Sequence, residues 1–379
     1  MDNFDCIKAN ILKYENNYSK YATKSTMAIR LRNENKDIRG EFERDSDKII
    51  HSLSYTRYID KTQVYPTRKD DNISKRMTHV QFVSRTSRTI ARALNLNEDL
   101  CEAIALGHDI GHVPYGHEGE YILNEISKEE LGEVFAHNVQ GVRNFLFVEN
   151  NGCGINLCVQ TLDGILCHNG EFLQDKYYPK RKSVEEFFSE YEKCYKDQNY
   201  IKSLVPMTME GCIVRISDII SYIGKDIEDA IRLKKIRIEN VPKDIIDILG
   251  STNRDIMQNV ICDVIKSSYG KEYICMSNNV YNAIKKLKQF NYENIYKKAL
   301  SQRKRKELEK KFRYLYDIYY KALINNDKKN IICYDFYDKM DNSYIQKTKK
   351  QRIVIDYIAG MTDNFFEREY RKYTKVNKK

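Results

Sequence analysis

Residues 211–231 read GCIVRISDIISYIGKDIEDAI, and the fold class follows from how this stretch can be buried. Apolar side chains cover most of a helical surface, without the strict alternation of a half-buried strand and without a proline to interrupt it. A helix that is apolar on most of its sides belongs at the centre of a protein, so other helices must surround it. Thr208 is the expected N-cap, and Glu210 puts an acid in the first turn, where the helix dipole favours it. The remaining chain agrees. Its 16 glycines and 5 prolines in 379 residues supply few tight turns, which disfavours a sandwich or barrel. The expected fold class is all-α.

Outward from this helix, KIIHSLSYTRYI (48–59) has apolar residues at helical spacing and precedes a break at Tyr65-Pro66. From Val80 to Leu94 a further helix puts Phe82, Val83, Ile90 and Leu94 on one side and arginines on the other. The loop NLNED leads into a helix at Leu100–Leu106, stopping near Gly111 with Pro114 beyond. Residues 131–149 make another helix candidate, and loop signals cluster around NNGCG (150–154). The organisation expected is a polar, partly ordered arm at 1–45, a core at 46–235, and a Lys/Tyr-rich helical region at 236–379. That last region should pack on the core or lie in subunit interfaces.

No stretch approaches the ~20 apolar residues of a membrane-spanning helix, and the charged N-terminus is unlike a secretory signal. A cytoplasmic location is therefore expected. Ten cysteines are scattered without a Cys-x-x-Cys pair, which argues for reduced thiols rather than a zinc site. The net charge of +10 suits polyanionic partners, nucleotides or nucleic acid, although runs such as Arg303–Lys306 also occur on solvated helix faces.

The chemistry concentrates at GHDIGHVPYGHEGE, residues 107–120. His108, Asp109, His112, His117, Glu118 and Glu120 place three imidazoles and three carboxylates within 13 residues. So many ionisable groups are costly to bury unless they serve one another or an ion. His108 and Asp109 are adjacent, so they can share a metal only if other elements close the site. His79 and Asp218 are candidates. A carboxylate inside the apolar run RISDIISYI needs either a metal or a partner such as Arg215. A mixed imidazole and carboxylate set suits Mn, Fe, Zn or another borderline divalent ion.

These motifs resemble the HD phosphohydrolases, whose signature is the order His…His-Asp…Asp. Five blocks, in order, resemble the deoxyguanosine-triphosphate triphosphohydrolase group: RDSDKIIHSLSYTRYIDKTQVYP (44–66), RMTHVQFVSRTSRTIARAL (76–94), GHDIGHVPYGHEGE (107–120), FAHNVQGVRNF (135–145) and RISDIISYIGKDIEDA (215–230). They cover roughly residues 40–235, and the C-terminal third carries no comparable block. One departure is Lys225-Asp226, where the family often has His-Asp.

The resemblance implies an HD-domain helical core with additional C-terminal helices. It implies one divalent ion (Mn, Fe, Zn, Co or Ni) on His79, His108, Asp109 and Asp218, with Mg assisting at the triphosphate. His112 and His117 would sit beside the α-phosphate, Glu120 would support His117, and His137 would contact phosphate or transfer a proton. Arg76 matches a phosphate contact, Gln63 a residue near the deoxyribose, and Tyr222 and Asp226 positions that read the sugar. His168 has no implied role, and Glu118 reads as a solvated neighbour. The implied activity is hydrolysis of deoxynucleoside triphosphates to deoxynucleoside and tripolyphosphate. The alternatives are an HD phosphohydrolase for a monophosphate, cyclic nucleotide or alarmone, and a nucleotide- or nucleic-acid-binding regulator. A homo-oligomer is expected, with a nucleotide or single-stranded nucleic acid as a candidate activator.

Overall fold

The computed structural model describes residues 3–65, 72–169 and 172–376. The helices that matter for the site are α1 (Glu41–Ile50), α2 (Arg76–Ala93), α3 (Glu98–Gly107), α4 (Gly116–Leu131), α5 (His137–Arg143), α6 (Val159–Cys167) and α7 (Met209–Arg232). They are followed by α8 (Asn253–Ser268), α9 (Asn278–Asn291), α10 (Gln302–Ile324), α11 (Lys350–Ala359) and α12 (Asp363–Val376). The strands among the described residues are two short antiparallel ones, β1 (Lys176–Tyr177) and β2 (Ile274–Cys275), with Lys176 opposite Cys275. The fold is all-α.

Helix α7 is the central element, packed against α2, α3, α6, α8 and α9. The Thr208 hydroxyl oxygen accepts from the Gly211 N–H at 3.0 Å, so the expected cap forms. Glu210 does more than complement the dipole. It is fully buried and accepts from the Thr23 N–H (3.0 Å), the Thr23 hydroxyl (2.9 Å) and the Asn97 N–H (3.1 Å). A carboxylate can stay buried only when its lone pairs are used in this way. Here it pins the segment around Thr23 to the start of α7. Arg30 makes a second anchor, reaching Glu41, Asp45 and the Asn156 carbonyl. Residues 3–45, expected as a partly ordered arm, thus lie fastened to the core.

Three boundaries differ from the sequence reading. Helix α2 begins at Arg76 rather than Val80, because the Arg76 N–H binds the Lys61 carbonyl and Thr62 pairs with Lys75, which keeps the chain extended up to that point. The expected helix at 131–149 is broken. Gly132, at φ 69°, ends α4 with its N–H on the Lys128 carbonyl, and helix resumes only at His137. The 48–59 stretch also divides, since Ser52 accepts from the Tyr55 N–H and caps a fresh turn. Pro66 lies outside the described residues.

Two hydrophobic clusters form. The larger unites α1–α3, α6 and α7 with α8 and α9, while the smaller joins Val113, Ile122, Leu123 and Phe135 to Phe312, Leu315, Ile353 and Phe366. Neither cluster begins or ends at residue 235, and the 107–120 motif runs from one into the other. Among the described residues no helix is long and apolar enough to cross a membrane.

Candidate active site

His79 sits one turn into α2, on the same face as Arg76. His108 and Asp109 follow the end of α3, and Asp218 lies midway along α7. These four residues, far apart in sequence, converge. His79 Nε2 is 3.0 Å from Asp218 Oδ1 and 3.8 Å from Asp109 Oδ2, and His108 Nε2 is 3.5 Å from Asp109 Oδ1 and 3.8 Å from Asp218 Oδ1. The Arg215 alternative for Asp218 does not form. Arg215 instead donates to the Leu204 carbonyl.

The hydrogen bonds decide which nitrogen His108 presents. Its Nδ1 lies 2.7 Å from the Ala105 carbonyl and must carry the proton, so Nε2 is bare. Among the described residues that buried Nε2 has no hydrogen-bond partner, and it faces two carboxylate oxygens. A lone pair aimed at anions is unfavourable unless a cation stands between them, and this donor set fits a borderline divalent ion. Burial favours a neutral Asp109, yet Arg76, His108 and His112 overcome it and hold the carboxyl well below the usual range. Burial also opposes charge on His79, but its hydrogen bond to Asp218 raises its pKa.

A second set borders the first. His112 Nε2 is 3.2 Å from Asp109 Oδ1, and its ring stacks on His137 at 3.8 Å between centroids. Burial, followed by the neighbouring Arg76 charge, depresses His112 well below the ordinary imidazole value, so it is neutral. Glu120 has His137 as its closest partner. It accepts from the His137 N–H at 2.8 Å and stands 2.9 Å from Nδ1, whereas His117 Nδ1 is 3.4 Å away at an exposed position. Burial disfavours charge on His137, and Glu120 reverses this and raises its pKa. The other ring nitrogen of His137 meets His168 Nε2 at 3.1 Å. His168 Nδ1 is 2.6 Å from the Ile165 carbonyl, so Nε2 accepts, and burial, reinforced by His108 and His137, lowers this histidine to about 3. His168 is therefore a member of the site that sequence reasoning left without a role.

Both sets open onto a cavity of about 700 Å³. Gln63, Arg76, Tyr222 and Asp226 all line it, as does Glu118, whose carboxylate pairs with Arg305 at 2.7 Å. Arg76 Nη1 donates to Asp109 Oδ2. The Tyr296 hydroxyl donates to Asp226 at 2.7 Å, and burial raises the Asp226 carboxyl to about 7. Tyr281, Lys285 and Lys288 from α9 complete the wall.

Two curated relatives decide the family. A protein from Caldanaerobacter subterraneus subsp. tengcongensis is 37% identical over 93% of this chain and 91% of its own, and one from Clostridium tetani is 34% identical over 87% and 84%. Both carry the name deoxyguanosinetriphosphate triphosphohydrolase-like protein. This chain belongs to that family of HD phosphohydrolases. A Clostridium perfringens member is 33% identical across 98% of the chain and 96% of its own. The HD domain profile matches residues 76–223, and a phosphohydrolase-associated domain profile matches 274–372.

The associated domain supplies what the sequence reading missed. Lys285 and Lys288 enter the cavity from it, although in sequence they sit in an ordinary basic amphipathic helix. Its far end clamps the turns that carry the 107–120 motif. Asp363 accepts from the Thr62 N–H, the Thr62 hydroxyl and the Tyr115 N–H, while the wholly buried Lys61 amine donates to the His112 and Ala359 carbonyls. Tyr115, at φ 65°, is held in a left-handed conformation that side chains rarely adopt, and its hydroxyl donates to Glu367 at 2.6 Å. The clue lay at the end of the 44–66 block, where Lys61 and Thr62 stand beside Gln63.

Proposed function

We propose that this protein hydrolyses deoxynucleoside triphosphates to deoxynucleoside and tripolyphosphate, with dGTP or a broader set as substrate. The observation that carries the reading is a buried imidazole and carboxylate cluster opening onto one cavity that also holds Arg76, Lys285 and Lys288. Three cations suit a triphosphate better than a monophosphate or cyclic ester, and aromatic walls from Tyr222, Tyr281 and Tyr296 suit a nucleoside. His79, His108, Asp109 and Asp218 would hold a divalent ion, which when bound stabilises charge on phosphoryl oxygens and acidifies water. Arg76 would hold the phosphate chain once released from Asp109. His137, charged and backed by Glu120 at Nδ1, would give its Nε2 proton to the departing 5′-oxygen once that N–H turns from His168, which otherwise holds it. Neutral His112 and rim-sited His117 would contact the α-phosphate. Gln63, Tyr222 and Asp226 would face the sugar, and the buried Gln63 Oε1 has no hydrogen-bond partner among the described residues.

Purified protein should be incubated with each deoxynucleoside triphosphate in Mn²⁺ or Mg²⁺, with tripolyphosphate and orthophosphate quantified separately. Tripolyphosphate is expected, and Asp109→Ala should abolish it. Orthophosphate or pyrophosphate as the released product would overturn the proposal, as would undiminished activity in Asp109→Ala.

A further inference from the structure

A separate cavity of about 240 Å³ is lined by Gln174, Lys176, Tyr177, Lys180, Pro206 and Arg215, among others. Arg215 is its unusual member. The side chain is fully buried, and its one hydrogen bond among the described residues runs from Nη1 to the Leu204 carbonyl at 2.8 Å. Nε and Nη2 have no partner. The nearby carboxylates are committed elsewhere. Asp163 binds Lys182 and the Met207 N–H, each at 2.6 Å, and Glu190 binds Lys182 at 2.6 Å. The Tyr177 ring, 5.9 Å from the guanidinium, offers only its π face. A guanidinium is always charged, and burying one without a counter-ion is strongly unfavourable.

Lys176 and Lys180 stand at the mouth of the same cavity, both exposed, Lys180 with the Glu190 carboxylate 3.9 Å from its amine, and among the described residues three cations and no carboxylate line it. We propose that this cavity is a second, non-catalytic anion site that binds a phosphoryl group. The unused edge of the Arg215 fork would take two of its oxygens, and the lysines would close over the rest. A doubly charged tetrahedral oxyanion matches this donor set better than a carboxylate, which could not engage all three cations. The phosphoryl group could come from free phosphate or polyphosphate, or from the 5′-phosphate of a nucleotide whose base rests on the exposed Tyr178 ring. The two cavities are joined along the chain, since Phe172 and Leu173 line the active-site cavity and Gln174, Lys176 and Tyr177, the next residues but for Asp175, line this one.

The chain contains no tryptophan, so Tyr178→Trp places a single fluorescent reporter on the cavity wall, away from the catalytic histidines. This variant should be titrated with orthophosphate, tripolyphosphate and a deoxynucleoside 5′-monophosphate at constant ionic strength. A saturable emission change is expected, and the tightest of the three ligands identifies the source of the phosphoryl group. Adding Lys176→Gln and Lys180→Gln, both at exposed positions, should weaken the midpoint by about tenfold or more. Arg215→Gln should abolish the response if it folds, and the lysine variants carry the test if it does not. No saturable change with any ligand, or an unmoved midpoint in the lysine variants, would overturn the proposal.

Discussion

Gly111 stands between Asp109 and His112, and replacing it with alanine tests how the catalytic turn is seated. Its backbone lies outside the left-handed region, so glycine is not needed there for φ. The need is proximity. A Cβ would stand 2.0 Å from the His137 carbonyl oxygen, 2.4 Å from the Gly141 nitrogen and 2.9 Å from the Gln140 carbonyl carbon. Comfortable contact is about 3.5 Å, so the turn and α5 must separate by roughly 1.5 Å. All three obstacles are backbone atoms, and no rotamer change relieves them. Overpacking of this kind costs about 1–3 kcal/mol. At about 2.1 cal/mol/K of unfolding entropy per residue, the chain loses about 0.8 kcal/mol per degree, so Tm should fall by roughly 1–4 °C. The effect on catalysis is larger, because the shift drives His112 and His137 apart, and a displacement of about 1 Å costs roughly 100-fold in rate. Steady-state release of tripolyphosphate and scanning fluorimetry on Gly111→Ala measure both quantities. Activity within threefold of the parent, with an unmoved Tm, would refute the reasoning.

Three further expectations follow from the same geometry. A divalent ion at about 100 times its Kd should stabilise the fold by about 2.7 kcal/mol, roughly 3 °C in Tm. Asp218→Ala should lose that increment in a chelator-reversible melting assay, and an equal shift in the variant would remove Asp218 from the ligand set. Asp363→Ala removes the carboxylate that accepts from the Thr62 N–H, the Thr62 hydroxyl and the Tyr115 N–H, which should cost roughly 1–3 kcal/mol in chemical denaturation and lower turnover, although residue 363 is far from the cluster in sequence. Unchanged denaturation would show that the clamp is dispensable. Asp226 titrates near 3.8 when unperturbed and is raised by burial to about 7 in the fold. Its contribution to stability is complete below the lower value and is lost as pH rises through the upper one. In chelator, Asp226→Asn should therefore flatten the decline in stability between those values, a difference on the order of 4 kcal/mol. Parallel pH profiles for parent and variant would contradict it.

The all-helical class was legible because one long apolar segment could be satisfied only by surrounding helices, and Thr208 announced where it starts. The His-Asp pair at 108–109 stood out by its residue types, His79 and Asp218 were candidates to join it and the resemblance completed the set, and the structure brings the four side chains together. Helix boundaries were less so. Arg76 enters α2 only because a backbone pairing between distant strands of chain holds Lys75 extended, and no local propensity reports that. His168, Lys285, Lys288 and Asp363 look ordinary in sequence and gain meaning from where they arrive. By itself, the sequence determined the fold class, the residue types of the cluster and the segments that contribute to it. Tertiary structure alone decided that Glu120 serves His137 before His117, that His168 completes that chain, and that the C-terminal third walls the cavity and clamps its turns. Local sequence encodes burial and capping, but hydrogen-bond partners and cavity walls depend on contacts between residues from 17 to 301 positions apart, which exist only once the helices have packed.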